Sequence, residues 1–117
     1  MLVEARWRKE KELMQRVFPQ FEPFAEPPMF GFQGNLRGPR SGRLYEVVLE
    51  SNEDLYPQYD PSIYINPRIG ANWRVSRYGR SEPELCVIKD WNPALSTFAS
   101  ALRAAIKYLN EQDGIYA

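Results

Sequence analysis

The side chain best suited to covalent chemistry in this sequence is the single cysteine, Cys86. A thiol accepts an acyl group as a thioester without a metal or cofactor, and nearby cations favour its reactive thiolate form. Candidate cations close in sequence are Arg77, Arg80 and Lys89. The alternative is that Cys86 is a small buried hydrophobe, because free cysteine is among the most buried residue types. Composition alone favours this second interpretation.

The sequence contains no histidine, which restricts its chemistry more than any other feature. Ser-His-Asp triads, Cys-His pairs and histidine-ligated zinc are therefore excluded. One cysteine also excludes a CxxC pair or a cysteine-rich zinc site, and the glycine motifs of phosphate loops and dinucleotide sites are absent. We therefore expect no metal and no cofactor. An acyl-carrier thiol charged by a partner fits this composition better than a protease does.

Length, charge and hydropathy narrow the class of protein further. A chain of 117 residues is predicted to form one domain over 1–117. Fifteen basic and fifteen acidic residues give a net charge of zero, which argues against nucleic acid as the main partner. No apolar run reaches the roughly 18 residues of a membrane span, and the first residues are too charged for a secretory signal. With one cysteine, we expect a reducing, cytoplasmic location and no membrane partner.

Hydrophobic spacing predicts the elements that position Cys86. Apolar residues at helical spacing indicate a first helix over residues 2–18, which Pro19 ends. A proline-rich connector over 18–28 is expected to cover the edge of a sheet with its aromatic side chains. Three strands are predicted after it, at 29–36, 44–50 and 62–66, and the first two pair as a hairpin around a glycine-rich turn.

The second half of the chain is predicted to be mostly irregular until a final helix. Residues 67–92 contain several glycines and prolines, although 72–78 can form a short fourth strand. Asn92 as N-cap and Pro93 at the first helical position predict a helix to about residue 110, with Leu95 on its apolar face and Gly114 after its end. This order predicts an α+β fold, with helices packed on an antiparallel meander.

Five features in this order resemble the ubiquitin-conjugating enzyme superfamily along nearly the whole sequence. They are the amphipathic first helix, F-Q-G-N-L-R-G-P at 32–39, L-Y-E-V-V-L-E at 44–50, Y-P-Q-Y-D-P-S-I-Y-I at 56–65, and L-C-V at 85–87 followed by W-N-P-A-L at 91–95. The resemblance implies a UBC-like fold with an N-terminal helix, an antiparallel meander of about four strands, an active-site loop and a C-terminal helix. It also implies that Trp91 is structural.

The same resemblance implies a function and its partners. Cys86 would accept a protein C-terminus as a thioester and transfer it to an amine. The implied partners are a ubiquitin-activating-like adenylating enzyme and, as donor, a ubiquitin-like protein or the C-terminus of a nucleotide synthase. The adenylating enzyme would dock on the basic face of the first helix, formed by Arg6, Arg8, Lys9 and Lys11. For these four residues, the alternative is an ordinary solvated helix face.

The sequence also departs from the family. The His-Pro-Asn motif that precedes the family's cysteine is absent, and Tyr78 and Asn72 are candidates to replace its asparagine as oxyanion donor. Asp113 lies near the position of a family acid that orients or deprotonates the acceptor amine. Its alternative is a solvated carboxylate near the end of the chain.

A short form without His-Pro-Asn is similar to the prokaryotic branch of the family. Members of that branch occur in bacterial antiphage signalling operons and in bacterial ubiquitin-like conjugation operons. The resemblance therefore implies a transferase, with antiphage defence as its setting. Two alternatives remain open: an inactive relative that serves as a binding module or adaptor, and an unrelated α+β domain with a buried cysteine. A Cys86 thiol that resists a small alkylating reagent in the native state would favour the inactive relative over the transferase.

Overall fold

The computed structural model describes residues 4–115 and has the predicted α+β arrangement. Along the chain, one helix precedes a four-stranded antiparallel sheet and a second helix follows it. Its elements are α1 (Glu4–Val17), β1 (Glu22–Glu26), β2 (Met29–Arg37), β3 (Leu44–Asn52), β4 (Ser62–Asn66), β5 (Trp73–Arg74), β6 (Glu84–Leu85) and α2 (Phe98–Gln112). The sheet order is β1-β2-β3-β4, a meander, and β5 pairs with β6 separately. Residues 2 and 3 of the predicted first helix lie outside the described residues.

The predicted hairpin is confirmed as β2 and β3. The two strands pair in register from Met29 opposite Asn52 to Arg37 opposite Leu44. The amide of Gly38 donates to the carbonyl of Arg43 at 2.7 Å and closes the turn. Each strand ends within two residues of its predicted end. The sequence predicts these ends well because alternating hydrophobicity in a strand and glycines in a turn are strong local signals.

The prediction of a connector over 18–28 is wrong in part, because this segment contains the edge strand β1. Glu22 pairs with Gln33, and Glu26 pairs with Met29, across a two-residue turn. Pro23 lies inside this strand, which the edge position permits because one side of β1 has no ladder partner. The fourth strand of the main sheet is therefore β1. Residues 73–74 form β5 of the second, smaller sheet instead.

The predicted start of the last helix at Pro93 is also wrong. Helix α2 begins at Phe98 with Thr97 as N-cap. The side chain of Thr97 accepts from the Ser100 amide at 3.1 Å, and the hydroxyl of Ser100 accepts from the Thr97 amide at 2.8 Å. This reciprocal pair is a capping box, which satisfies two otherwise unpaired amides.

Asn92 caps a separate turn rather than a helix. Its side-chain oxygen accepts from the Ala94 amide at 2.9 Å, and its carbonyl accepts from the Ser96 amide at 2.7 Å. Leu95 is 79% exposed, so it does not belong to the apolar face of α2. Asn92 and Pro93 therefore initiate a turn, which does not propagate into the predicted helix.

The core lies between the two helices and one face of the sheet. The ring of Phe98 lies near its centre, 5.2 Å from the Phe32 centroid and 4.9 Å from that of Tyr56. Trp7 of α1 packs edge-on against Phe30 at 5.0 Å. Such edge-to-face and tilted contacts stabilise beyond the area that they bury. Within residues 4–115, no helix has both the length and the apolar character required to cross a membrane.

A buried carboxylate joins α1 to the start of α2. Glu10 is almost fully buried, and its Oε1 accepts from the Phe98 amide at 3.0 Å. Its Oε2 accepts from the hydroxyl of Tyr56 and from Nε of Arg6, the latter at 3.2 Å. The first amides of a helix lack intrahelical partners and attract negative charge, so Glu10 supplies both an acceptor and a favourable charge.

We expect Glu10→Ala to lower the free energy of unfolding by about 3 kcal/mol, because it leaves the half-buried Arg6 without its ion-pair partner and two buried donors without their acceptor. Urea denaturation followed by circular dichroism measures the change. Glu12→Ala is the matched control, since Glu12 lies on the same helix and is exposed. Its effect should stay within about 0.5 kcal/mol. Equal effects of the two substitutions would contradict this role of Glu10.

A second buried carboxylate, Asp113, joins the end of α2 to the β2–β3 turn. It accepts from the amides of Arg40 and Ser41 at 2.8 and 2.9 Å and from the hydroxyl of Tyr45 at 2.8 Å. Hydrogen bonds from the Ser41 hydroxyl and amide hold the pKa of Asp113 well below its usual range. Gly38 is required beside it, because an added Cβ would lie 2.3 Å from Oδ1 of Asp113.

We expect the contribution of Asp113 to stability to be complete above about pH 4, the usual range of an aspartate, and to be lost as the pH falls below it. The direction follows from the lowered pKa in the folded state. Asp113→Asn should therefore melt at a lower temperature than the wild type at pH 7, and the two melting curves should converge towards pH 3. A difference in melting temperature that is independent of pH would contradict this expectation.

Candidate functional site

Cys86 directly follows β6, and its side chain is exposed. It lies in an open groove of about 420 Å³ between the loop after β6 and one side of α2. The groove is lined by Asn72, Cys86, Val87, Lys89, Asp90, Ala104, Lys107, Tyr108, Glu111 and Gln112. The interpretation of Cys86 as a small buried hydrophobe is therefore wrong. Of the alternative of an unrelated α+β domain with a buried cysteine, only the burial of the cysteine is contradicted.

The short β5–β6 ladder sets the position of Cys86. Trp73 pairs with Leu85, and the Cys86 amide continues the ladder by donating to the Asn72 carbonyl at 2.7 Å. Leu85 is buried in the core, so the backbone before the thiol is anchored from inside. Because the Cys86 amide is already bonded, it is not free to donate to a substrate.

One backbone carbonyl fixes the other wall of the site. The carbonyl of Ile69 accepts from the indole of Trp73 at 3.1 Å and from the hydroxyl of Tyr108 at 2.7 Å. The two rings also meet edge-on, with centroids 6.4 Å apart. These contacts hold β5 against α2, the helix that forms the far side of the groove.

A third buried carboxylate, Glu84, lies two residues before the thiol in β6 and has no solvent exposure. Its oxygens accept from the Arg77 amide at 2.7 Å and from the Ser62 hydroxyl at 3.1 Å. The guanidinium groups of Arg74 and Arg77 each approach Oε2 at 3.0 Å. A buried charge persists only when it is paired in this way, so Glu84 holds both arginines in place beside β6.

Arg74 links this buried carboxylate to the thiol. Its Nη1 lies 3.4 Å from Sγ of Cys86, while its Nη2 pairs with Glu84. The side chain of Arg74 is 41% exposed, and Arg74 lies beside the thiol without lining the groove. The arrangement places an oriented N–H donor and a positive charge beside an accessible nucleophile.

Of the three cations predicted to lie near Cys86, one lines its groove and two form ion pairs elsewhere. Lys89 lines the groove. Arg77 pairs instead with Asp60 and Glu84, and Arg80 pairs with Glu50.

Sequence reasoning missed Arg74. Its proximity to the thiol depends on the register of a two-residue ladder, which leaves no periodic signal in the sequence. Lys107 was missed as well, because the predicted site did not include the outer side of α2.

The two candidate oxyanion donors lie in different places. Asn72 lines the groove beside Cys86. Tyr78 does not line it, and its buried hydroxyl has no hydrogen-bond partner among residues 4–115. Burial raises the pKa of Tyr78. Its predicted catalytic role has no supporting contact here.

Asp113 also lies away from the groove. Its carboxylate is buried in the β2–β3 turn cluster described above. These contacts give Asp113 a structural role. The predicted role in orienting an acceptor amine stays a prediction without a contact to the thiol.

The basic residues of α1 divide into two kinds. Arg6 points inward and donates to the carbonyl of Pro93 at 2.7 Å and to that of Ser96. Arg8, Lys9 and Lys11 are exposed. Partner docking by these residues stays a prediction, and only the last three present their charges to solvent.

Trp91 holds the loop that follows Cys86. Its indole donates to the carbonyl of Pro57 at 2.7 Å, and its ring packs at a tilt 6.0 Å from Tyr56. This contact ties the loop after the thiol to the β3–β4 loop. Trp91 thus has a structural contact of the kind that the resemblance implied.

No protein-family model matches the chain, and neither does any curated protein or solved structure. The resemblance to ubiquitin-conjugating enzymes therefore stays a prediction. Any function for this site has to be argued from its own geometry.

We expect the native thiol to react readily with both iodoacetamide and iodoacetate. Arg74→Gln should lower the rate with anionic iodoacetate, relative to neutral iodoacetamide, by about threefold at low salt. A unit charge a few ångströms from the reacting atom contributes on the order of 1 kcal/mol in water, which salt reduces. The ratio of rates cancels any change in the thiol itself. Exposed Arg103, remote from this thiol in sequence, gives the control Arg103→Gln. A native thiol that reacts only in urea would contradict this site.

Proposed function

We propose that the protein is an acyl-transfer enzyme that carries a protein C-terminus as a thioester on Cys86 and passes it to an amine. The observation that supports this proposal is an exposed thiol in an open groove, with an arginine N–H at 3.4 Å from the sulfur. A thioester needs neither metal nor cofactor, in keeping with a sequence that lacks histidine.

The reaction proceeds in two displacements. In the first, the Cys86 thiolate attacks the carbonyl carbon of an acyl adenylate held by a partner enzyme. The C–S bond forms, the C–O bond to phosphate breaks, and AMP leaves. In the second, an amine attacks the thioester carbonyl, the C–N bond forms and the C–S bond breaks. The sulfur leaves as thiolate, and the proton of the amine passes to water or to a carboxylate. Asp90 and Glu111 line the groove and are available for this step.

Arg74 is the group best placed to stabilise the charge that develops. Its Nη1 already points at the sulfur, so a carbonyl attacked by that sulfur would lie within reach of the same guanidinium. The Cys86 amide is engaged by Asn72 and does not compete for this role. An oriented donor of this kind contributes about a hundredfold to a thousandfold in rate.

The resemblance supplies the identity of the partners in this proposal. The donor is a ubiquitin-like protein or the C-terminus of a nucleotide synthase, and the activating partner is a ubiquitin-activating-like adenylating enzyme. The setting is antiphage defence in the bacterial cytoplasm. The docking face for the adenylating enzyme is the exposed basic side of α1, formed by Arg8, Lys9 and Lys11.

A second candidate is a catalytically inactive UBC-like binding module. The observation that favours it is the scarcity of oxyanion donors at the thiol: the Cys86 amide is bonded, and the Tyr78 hydroxyl is buried elsewhere. In that case Cys86 would be exposed without a chemical role.

The two candidates differ in a charging experiment. The wild type, incubated with ATP, a ubiquitin-like donor protein and a ubiquitin-activating-like adenylating enzyme, should form an adduct that dithiothreitol removes. Cys86→Ser should form a reductant-stable ester. Arg74→Gln should slow charging about a hundredfold, while Arg103→Gln should not. A wild-type protein that alkylates normally but forms no reducible adduct would contradict the transferase and favour the binding module.

Two lysines complicate this experiment and are controlled separately. Lys89 and Lys107 line the same groove as the thiol, so an acyl group on Cys86 has amines within the same chain near it. The double variant Lys89→Arg and Lys107→Arg removes both amines and keeps their charges. In this background, every adduct at Cys86 should remain reducible.

A further inference from the structure

A second cavity lies at the end of α2, separate from Cys86. It has a volume of about 250 Å³ and lies between the β2–β3 turn, the loop after β4 and the last turn of the helix. Arg43 and Arg68 are the charged side chains that line it within residues 4–115, and no acidic side chain does. We call it the Arg43–Arg68 cavity.

The charges of these two arginines are not compensated by ion pairs. The ion pairs within residues 4–115 involve Arg6, Arg74, Arg77 and Arg80. In the same part of the chain, neither guanidinium of the Arg43–Arg68 cavity donates a hydrogen bond. Both arginines are exposed, so a ligand in solvent can reach their guanidinium groups.

The carboxylate nearest in the fold already accepts hydrogen bonds from other groups. Asp113 accepts from two backbone amides and from the hydroxyls of Ser41 and Tyr45, and it has no solvent exposure. A third arginine, Arg40, lies at the same turn, since a Cβ added to Gly114 would meet Arg40 Cβ at 3.0 Å. The turn beside the cavity therefore carries a third basic residue, while Asp113 already accepts four hydrogen bonds.

The backbone that carries the arginines is held firmly. The carbonyl of Ile69, next to Arg68, accepts from both Trp73 and Tyr108. Gly70 has φ of +76°, and a Cβ there would lie 1.9 Å from the Tyr108 hydroxyl, so this position requires glycine. On the other side, Asp113 holds the β2–β3 turn. A site whose walls are fixed before binding loses less entropy when it binds.

We propose that the Arg43–Arg68 cavity binds a phosphomonoester group. Arginine forks match phosphate geometry, and the two that line this cavity suit a dianion better than a single carboxylate. The volume lies below the roughly 300–1,000 Å³ of pockets that enclose a whole small molecule, so the cavity holds the phosphate and little more. A chain of zero net charge lacks the basic excess that polynucleotide binding requires.

The test measures binding of inorganic phosphate, AMP and phosphoserine to the full chain by isothermal titration calorimetry at about 0.15 M salt. All three should bind. Equal affinities mean that the site reads the phosphoryl group alone, whereas tighter binding of AMP or phosphoserine identifies the source of the ligand. Arg43→Gln and Arg68→Gln should each weaken binding about tenfold, the effect of losing one hydrogen bond to a charged group. Arg103→Gln, which removes the same charge elsewhere on α2, should leave binding unchanged.

Several results would overturn the proposal. One is the absence of binding of all three probes up to about 10 mM. A second is acetate binding as tightly as phosphate, and a third is single-stranded RNA binding more tightly than AMP with a steep salt dependence. A fourth is equal loss in the Arg103 and Arg68 variants.

Arg43 and Arg68 are exposed, so their variants should fold, and unchanged melting temperatures verify this. The rate of Cys86 alkylation is independent of this outcome, which separates this site from the proposed acyl transfer.

Discussion

The accessibility of Cys86 depends on one buried negative charge, the carboxylate of Glu84. The segment between β4 and α2 is long and mostly irregular, and it contains only two strands of two residues each. Glu84 gathers donors from Arg74, Arg77 and Ser62, and thereby joins this segment to β4. Because a buried charge cannot lose a partner cheaply, these contacts constrain each other. Arg74 extends this network to the thiol, because its guanidinium contacts both the Glu84 carboxylate and the Cys86 sulfur.

Buried carboxylates also hold both ends of α2 in place. Glu10 reaches from α1 to the first amide of α2, and Asp113 reaches from the last turn of α2 to the β2–β3 turn. Each carboxylate joins elements that are far apart in sequence, and each accepts from backbone amides as well as side chains. The small protein thus relies on a few saturated buried carboxylates to position loops that its modest core does not reach. Its two candidate sites, the Cys86 groove and the Arg43–Arg68 cavity, both border the last turns of α2.

Local patterns predicted the elements whose residues alternate or repeat strongly. Strand β4 was predicted to the residue, and β2 and β3 nearly so, because prolines and glycines mark their ends. Strand β1 was missed since its prolines are tolerated only at an edge, and an edge is a property of the assembled sheet. The start of α2 was placed too early because Asn92 and Pro93 are strong local signals for a helix. In the folded chain, Thr97 and Glu10 supply the cap instead.

For the candidate site, the sequence by itself determined which chemistry is available: one thiol, no histidine, and no motif for a metal or nucleotide. It did not determine whether that thiol is buried, which of its eleven arginines lies beside it, or that Arg43 and Arg68 share a cavity. Residue types are local facts, and they limit the reactions that a chain can perform. Exposure and charge pairing depend on contacts between segments distant in sequence, such as Arg74 with Cys86 or Asp113 with Ser41, and only the folded chain brings those segments together.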